Sequence, residues 1–281
     1  MRLIKTAIIN SVVFIYRRIF IRKVAFRLNH LLFELSANGL GVLNHQNNKV
    51  SGEDFFLKQI SAILNNAVVL DVGAHIGNYA NKVRSLSISA TIYACEPHPK
   101  TFQQLEYQAC QKNYLALNLA CSDTEGKLNL YDYSGEQSAS QHASLYQDVI
   151  TVLHQGSAQS WEVNVKTVDQ LIERYEIESI RLLKIDTEGN ELKVLLGAKQ
   201  AISKNLVDII QFEFNEMNVV SRVFFKDFYD LLKNYAFFRL LPDGLIPLGE
   251  YNPFICEIFA YQNIIAINRK YLPIVRDYLD V

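Results

Sequence analysis

"AVVLDVGAHIGNY" runs from Ala67 to Tyr79, and its reading decides the fold. The apolar run reads as a buried strand that ends at Asp71. Gly73 and Gly77 then lie four residues apart, and a helix is expected to begin near Asn78. Glycines allow a tight strand-to-helix turn and let a ligand approach the backbone closely. The spacing is Gly-x-x-x-Gly. It is not the Gly-x-Gly-x-x-Gly of dinucleotide dehydrogenases, and no Lys-Ser/Thr follows as in a P-loop, which disfavours NAD and ATP.

Working outward, short apolar runs alternate with helix-like stretches. "ATIYACEP" (90–97) reads as a second strand, "PKTFQQLEYQACQK" (99–112) as a helix and "NYLALNLACSD" (113–123) as a third strand. "RLLKID" (181–186) and "LVDIIQFEFN" (206–215) are further buried strands, separated by a helix whose buried face is marked by Leu192, Leu195 and Leu196. This rhythm predicts an α/β fold with a parallel sheet and right-handed crossovers. Residues 126–168 break it: "KLNLYDY" and "WEVNVKTVD" alternate around the polar "SGEQSASQHASLYQD", so a pair of strands with a loop is expected as an insertion. A helix follows at "FKDFYDLLKNY", and "FFRLLPDG" and "NIIAINR" read as closing strands separated by a long loop.

Glu96 ends the second strand about twenty residues after the glycine loop, where an acid can accept both hydroxyls of a ribose. The pair of features points to a nucleoside cofactor. His75, inside the loop, reads as a backbone-positioning or solvent-facing residue, and His98 as a helix-start residue.

The chain has 281 residues, with 28 Lys plus Arg against 29 Asp plus Glu, so no global charge points to nucleic acid. Cys95, Cys110, Cys121 and Cys256 never form Cys-x-x-Cys, and reduced thiols of a cytoplasmic protein are expected. The charge is uneven at one end. Arg2, Lys5, Arg17, Arg18, Arg22, Lys23 and Arg27 precede the first acid, Glu34. Ile4, Ile8, Val12, Ile15 and Ile19 recur at helical spacing, so residues 1–50 read as a basic amphipathic helical extension of a domain over 51–275. The uncharged run from Thr6 to Tyr16 is too short to span a bilayer, and nothing in it resembles a signal-peptide cleavage site. Two placements stay open: residues 1–30 lie on the cytoplasmic face of a membrane, or the helix packs on its own domain or on a partner.

"LLKIDTEGNE" (182–191) sets Asp186 and Glu188 at the carboxyl end of a buried strand, and Glu213 ends the next one. Carboxylates at such a rim can act as a base for a departing proton or as ligands of a metal that lowers the pKa of a bound group. Three acids at one rim suit either, Mg²⁺ included, and the pattern favours a base because no spaced set of acids completes an octahedral site. In extended backbone Asp186 and Glu188 point to the same side. Acids at 188 and 191 also suit a helix N-terminus, and Lys184 is a candidate partner for a carboxylate. His142 and Ser144, in the inserted loop, are expected over the same pocket as acceptor contacts or a proton relay.

Taken in order, "VVLDVGAHIGNYA", "YACEPHPKTFQQLE", "LNLACSDTEGKLNLY", "HASL", "VKTVDQL" and "RLLKIDTEGNELKVLLGA" resemble the FkbM-type methyltransferases, from about Ser51 to Asn268. "GLGVLNHQNNKVSGEDFFL" resembles the segment that often precedes that domain. The resemblance implies a class I S-adenosylmethionine-dependent O-methyltransferase. Its fold would be a Rossmann-like, doubly wound, mostly parallel sheet of seven strands, the last antiparallel. It also implies that Asp71, Gly73, Ala74, Gly77 and Asn78 line the methionine part of the cofactor, with His75 standing where Asn is commoner. Glu96 would hold the ribose beside Pro97, and Asn118, Ser122 and Asp123 would meet the adenine side. The implied acceptor is a hydroxyl of a glycan or a secondary metabolite, and an N-terminal helix on a membrane surface would fit a lipid-linked glycan. Two other classes stand beside it: a non-catalytic cofactor-binding module, and a nicotinamide-dependent oxidoreductase weakened by the glycine spacing.

Overall fold

A computed structural model describes residues 2–86, 89–135 and 139–279, with side chains of the first helix described from Ile9 onward. Glu136, Gln137 and Ser138 of the inserted loop, and the side chains of Arg2, Ile4, Lys5 and Ile8, lie outside the described residues. The strands in chain order are β1 (Val68–Val72), β2 (Thr91–Cys95), β3 (Leu115–Leu117), β4 (Ala120–Cys121), β5 (Gly126–Tyr133) and β6 (Ala158–Lys166). They continue with β7 (Ile180–Ile185), β8 (Val207–Phe214), β9 (Tyr235–Leu241), β10 (Gly244–Pro247) and β11 (Gln262–Asn268).

The main sheet has the order β10-β9-β11-β8-β7-β1-β2-β3. β3, β2, β1, β7 and β8 run parallel, and β11 lies antiparallel between β8 and β9. Both faces are covered, which is why β1, β7 and β8 read as nearly continuous apolar runs. Leu70, Leu183, Ile210 and Phe212 face one core layer with Val194, Leu195, Phe225 and Phe228. Val69, Leu182, Ile209 and Ile265 face the other with Phe56, Ile60, Tyr79 and Val83.

The sheet has eight strands rather than seven. The loop expected before the last strand folds back first, and β10 pairs antiparallel with β9 through Leu245↔Leu240. The stretch 113–123 also divides. After β3 the chain leaves the main sheet, and β4 joins β6 and β5 in a second, three-stranded sheet. The inserted strand pair is therefore anchored to a third strand. Leu196 is exposed, and Val194 and Leu195 supply that helix's buried side with Leu192 packed at its edge.

The N-terminal extension forms helices Arg2–Phe20 and Phe26–Gly39 with a short 3-10 turn between them. They meet at the turn, where the Tyr16 hydroxyl bonds the Asn29 side chain and Asn29 Nδ2 donates to the Phe20 carbonyl at 3.0 Å. No described side chain from Ile9 to Gly39 is buried. No helix among the described residues is long and apolar enough to cross a membrane.

Candidate active site

β1, β2 and the β4 segment lie on one side of the site, and β7 and β8 on the other. The strand order reverses between β1 and β7, where ligands bind in open α/β sheets. A cavity of about 460 Å³ opens at the carboxyl ends of these strands. Gly73, Ala74, His75, Asn78, Glu96 and Pro97 line it, together with Asp186, Glu188, Glu213 and His142. Asp71, Gly77, Asn118, Ser122 and Asp123 do not reach its wall.

The turn after β1 is built by glycines in left-handed conformation, φ +81° at Gly73 and +88° at Gly77. A Cβ on Gly77 would meet the Tyr114 hydroxyl at 2.4 Å and Leu105 Cδ1 at 2.9 Å. His75 also adopts positive φ, and its N–H donates to Glu96 Oε2 at 2.9 Å. Glu96 Oε1 accepts the His98 N–H at 2.8 Å. Burial raises the Glu96 carboxyl to about 7, while those two backbone donors pull it down. Each oxygen has one protein donor and keeps a lone pair for a ligand. Asn118 shapes this corner from behind, donating to the carbonyls of Glu96 at 2.9 Å and Pro97 at 3.2 Å. Beyond it the wall is apolar: Leu119, Ala120 and Cys121 stand where Ser122 and Asp123 were expected. The Ser122 hydroxyl is turned to Asp123 at 3.1 Å. His98 caps helix Pro99–Lys112, as expected.

A charged row runs beneath the cavity. Sheet register puts Asp71 beside Lys184 and Lys184 beside Gln211, all on one face. Lys184 Nζ reaches Asp186 Oδ2 at 2.9 Å. Burial works against the Lys184 charge, but Asp186, Asp71 and Glu53 outweigh it and raise its pKa. Gln211 donates to Glu53 Oε1 at 2.7 Å and accepts from the Tyr79 hydroxyl at 2.8 Å. Asp71 is fully buried, and neither carboxylate oxygen has a hydrogen-bond partner. Burial raises it to about 6, and Lys184 opposes that shift.

The loop after β7 wraps around Glu191, whose Oε1 accepts from Thr187 N at 3.0 Å, Thr187 Oγ1 at 2.9 Å and Gly189 N at 3.1 Å. Glu188 consequently takes φ +52° rather than extended backbone. Strand alternation therefore does not bring Asp186 and Glu188 to one side; the curled loop does. Glu188 also precedes helix Glu191–Leu196 instead of standing in its first turn. The inserted loop closes over it: Ser144 Oγ donates to the Glu188 carbonyl at 2.7 Å, and His142 Nδ1 lies 3.4 Å from Glu188 Oε1. Burial raises Glu188 to about 7 while His142 lowers it, and the contact with Glu188 raises His142. His142 packs at a tilt against His154, ring centroids 4.7 Å apart. Burial, then Asp186 and Glu188, push Glu213 well above the usual carboxylate range.

Sequence reasoning missed Glu53, His154, Asn190, Glu216 and Tyr261, which also line the cavity. Their signals were weak: Asn190 follows β7 in the same loop as the acids, and Glu53, His154, Glu216 and Tyr261 come from loops or helix ends that only folding brings near β7. Lys184 was visible as a charge inside an apolar strand. Among the described residues no three His, Cys, Asp or Glu side chains are grouped to hold a metal.

The sequence is similar to known proteins. Hexuronic acid methyltransferase AglP of Haloferax volcanii is 29% identical over 137 residues, covering 48% of this chain and 51% of that protein. The chain thus spans about half the length of that relative. The 2-O-methyltransferase NoeI of Sinorhizobium fredii is 23% identical over 208 residues, covering 67% of this chain and 81% of that protein. Among solved structures, the O-methyltransferase from Bacillus cereus in complex with SAH aligns at a TM-score of 0.38 and 12% identity, over 92% of this chain and 97% of that one. The Methyltransferase FkbM domain matches residues 71–238, from the end of β1 into β9, and the chain belongs to that family.

Proposed function

We propose that this chain transfers the methyl group of S-adenosylmethionine to a hydroxyl of a neutral sugar unit in a glycan, including a lipid-linked glycan met at the cytoplasmic face of a membrane. One observation supports this most: the Glu188–His142 pair shares a single cavity with the glycine turn and Glu96. A proton acceptor and a nucleoside cradle within one small space are what alcohol methylation requires.

The residues fit the cofactor. Glu96 offers one free lone pair per oxygen to the two ribose hydroxyls, Gly73 lets the turn after β1 close against the Asp186 backbone beside the methionine end, and Leu119, Ala120 and Cys121 suit a flat apolar ring. The bound cofactor supplies an electrophilic methyl group on a positively charged sulfur, which the acid-rich wall favours. Glu188 accepts the hydroxyl proton as the oxygen–carbon bond forms, and His142 orients the carboxylate and shares the proton. Asp186 is held by Lys184 and serves as a positioning residue. Glu213, kept protonated by its surroundings, donates a hydrogen bond to the acceptor.

Charge supports a neutral acceptor. Lys184 is the sole Lys or Arg lining the cavity among the described residues, and Asp186 already pairs with it. No Lys or Arg occurs between Lys127 and Lys166, which spans the loop over the pocket. An acceptor carboxylate would meet Glu188 and Glu216 with no free Lys or Arg to pair with.

The test is transfer of labelled methyl from S-adenosylmethionine to separated neutral and acidic glycan and lipid fractions. Neutral fractions should be labelled, and Glu188→Gln should lower turnover by roughly 10²–10⁴-fold. Absence of transfer to every fraction sinks the reading. Equal labelling by Glu188→Gln removes Glu188 as the base, and preference for acidic fractions removes the neutral acceptor.

A further inference from the structure

Fifteen of the exposed large hydrophobic side chains among the described residues fall between Ile9 and Leu35. Val12, Val13, Phe14 and Ile15 are consecutive and all exposed, so the helix Arg2–Phe20 shows apolar groups on every side around its middle. The second helix continues the surface with Phe26, Leu31, Phe33 and Leu35. A surface this apolar is too large to stand against water in a folded protein without a function.

The charge at the turn says what meets it. Arg17, Arg18, Arg22, Lys23 and Arg27 are all exposed, and none has an acidic partner among the described residues. Arg18 lies over the Phe14 ring at 4.5 Å and Arg22 reaches the Arg18 carbonyl at 3.4 Å, so the cations sit at the edge of the apolar surface. Glu34, the first acid, faces His30 at 3.5 Å within the second helix, beyond the turn. A second copy of the chain would press five more cations against these five. A spanning role is closed, because no described helix is long and apolar enough to cross a membrane. Apolar side chains rimmed by basic ones match the boundary between acyl chains and anionic headgroups.

We propose that the two N-terminal helices dock the protein, in the plane of the interface, on an anionic phospholipid surface. Phe14, Ile15 and Phe26 enter the acyl boundary, and Arg17, Arg18, Arg22 and Lys23 contact the phosphates. The inference goes beyond the transfer chemistry and does not depend on it.

The full chain, incubated with phosphatidylcholine vesicles or with vesicles rich in phosphatidylglycerol, is sedimented and assayed for binding. Binding should be at least about tenfold stronger to the phosphatidylglycerol vesicles and should weaken with added salt. The variant with Arg17, Arg18, Arg22 and Lys23 each changed to Glu should lose that preference. A Phe14→Ser, Ile15→Ser variant should lose binding to both vesicle types. Near-ultraviolet circular dichroism and S-adenosylmethionine binding, read on the same preparations, show that the variants stay folded. Failure to sediment with either vesicle, or equal binding to both, overturns the proposal. So does a vesicle-free dimer that only the Phe14→Ser, Ile15→Ser variant dissolves, which assigns the surface to a second copy.

Discussion

A Cβ placed on Gly73 would stand 1.7 Å from the carbonyl oxygen of Asp186. The turn after β1 and the turn after β7 are therefore in direct backbone contact. That contact is braced by Asp186 N–H donating to the Val72 carbonyl at 2.9 Å. The glycine loop and the acidic loop, more than a hundred residues apart, form one rigid floor.

Gly73→Ala should break that floor. The added methyl has nowhere to go, and φ +81° is itself unfavourable for alanine. Stability should fall by about 3 kcal/mol or more, read from urea unfolding. A loss under about 1 kcal/mol would mean that the two turns can separate freely.

Glu96→Gln should weaken S-adenosylmethionine binding roughly 10- to 100-fold by titration calorimetry, the worth of a charged hydrogen bond to a ribose. The amide NH₂ would also oppose either the His75 or the His98 N–H, so the loop should loosen. Unchanged affinity would separate Glu96 from the ribose.

Turnover should rise with pH through about 7, because Glu188 must be ionised to accept a proton and burial holds it at about that value. His142→Ala removes the group that lowers Glu188, so this limb should move to higher pH. A limb that stays in place, or moves down, would show that another group sets it.

The ligand-free protein should become less stable as pH rises. Asp71, Glu96 and Glu188 are raised by burial from 3.8, 4.5 and 4.5 to about 6, 7 and 7. The folded state therefore holds protons that the unfolded chain has released, and stability drops as pH climbs from the ordinary carboxylate range through about 7. Melting at about pH 8 should precede melting at about pH 5, and Glu188→Gln should flatten the trend. A melting temperature that rises over this window would contradict the burial of these groups.

Much of this was legible in the chain. Apolar runs of Val, Ile and Leu ending in Asp-x-Gly or Glu-Pro mark β1 and β2, because both faces of a parallel sheet are buried and their ends carry ligands. β7 and β8 were equally plain. β10 was not, since Gly244–Pro247 carries too little apolar pattern to differ from a loop. Nor was β4, whose two residues change sheets by pairing with β6, a strand far along the chain.

The sequence by itself determined the α/β architecture, the glycine turn, the acid after β2 and the acids after β7. These are local: residue type and spacing specify backbone conformation and strand ends. Only the tertiary structure decided how the acids divide. It tied Asp186 to Lys184 and turned Glu188 toward His142 by folding its loop around the Glu191 carboxylate. It also sent Asp71 into a fully buried row beneath the cavity, and left the N-terminal helices without cover. Partnership and burial depend on which distant segments meet, and no spacing along the chain encodes that.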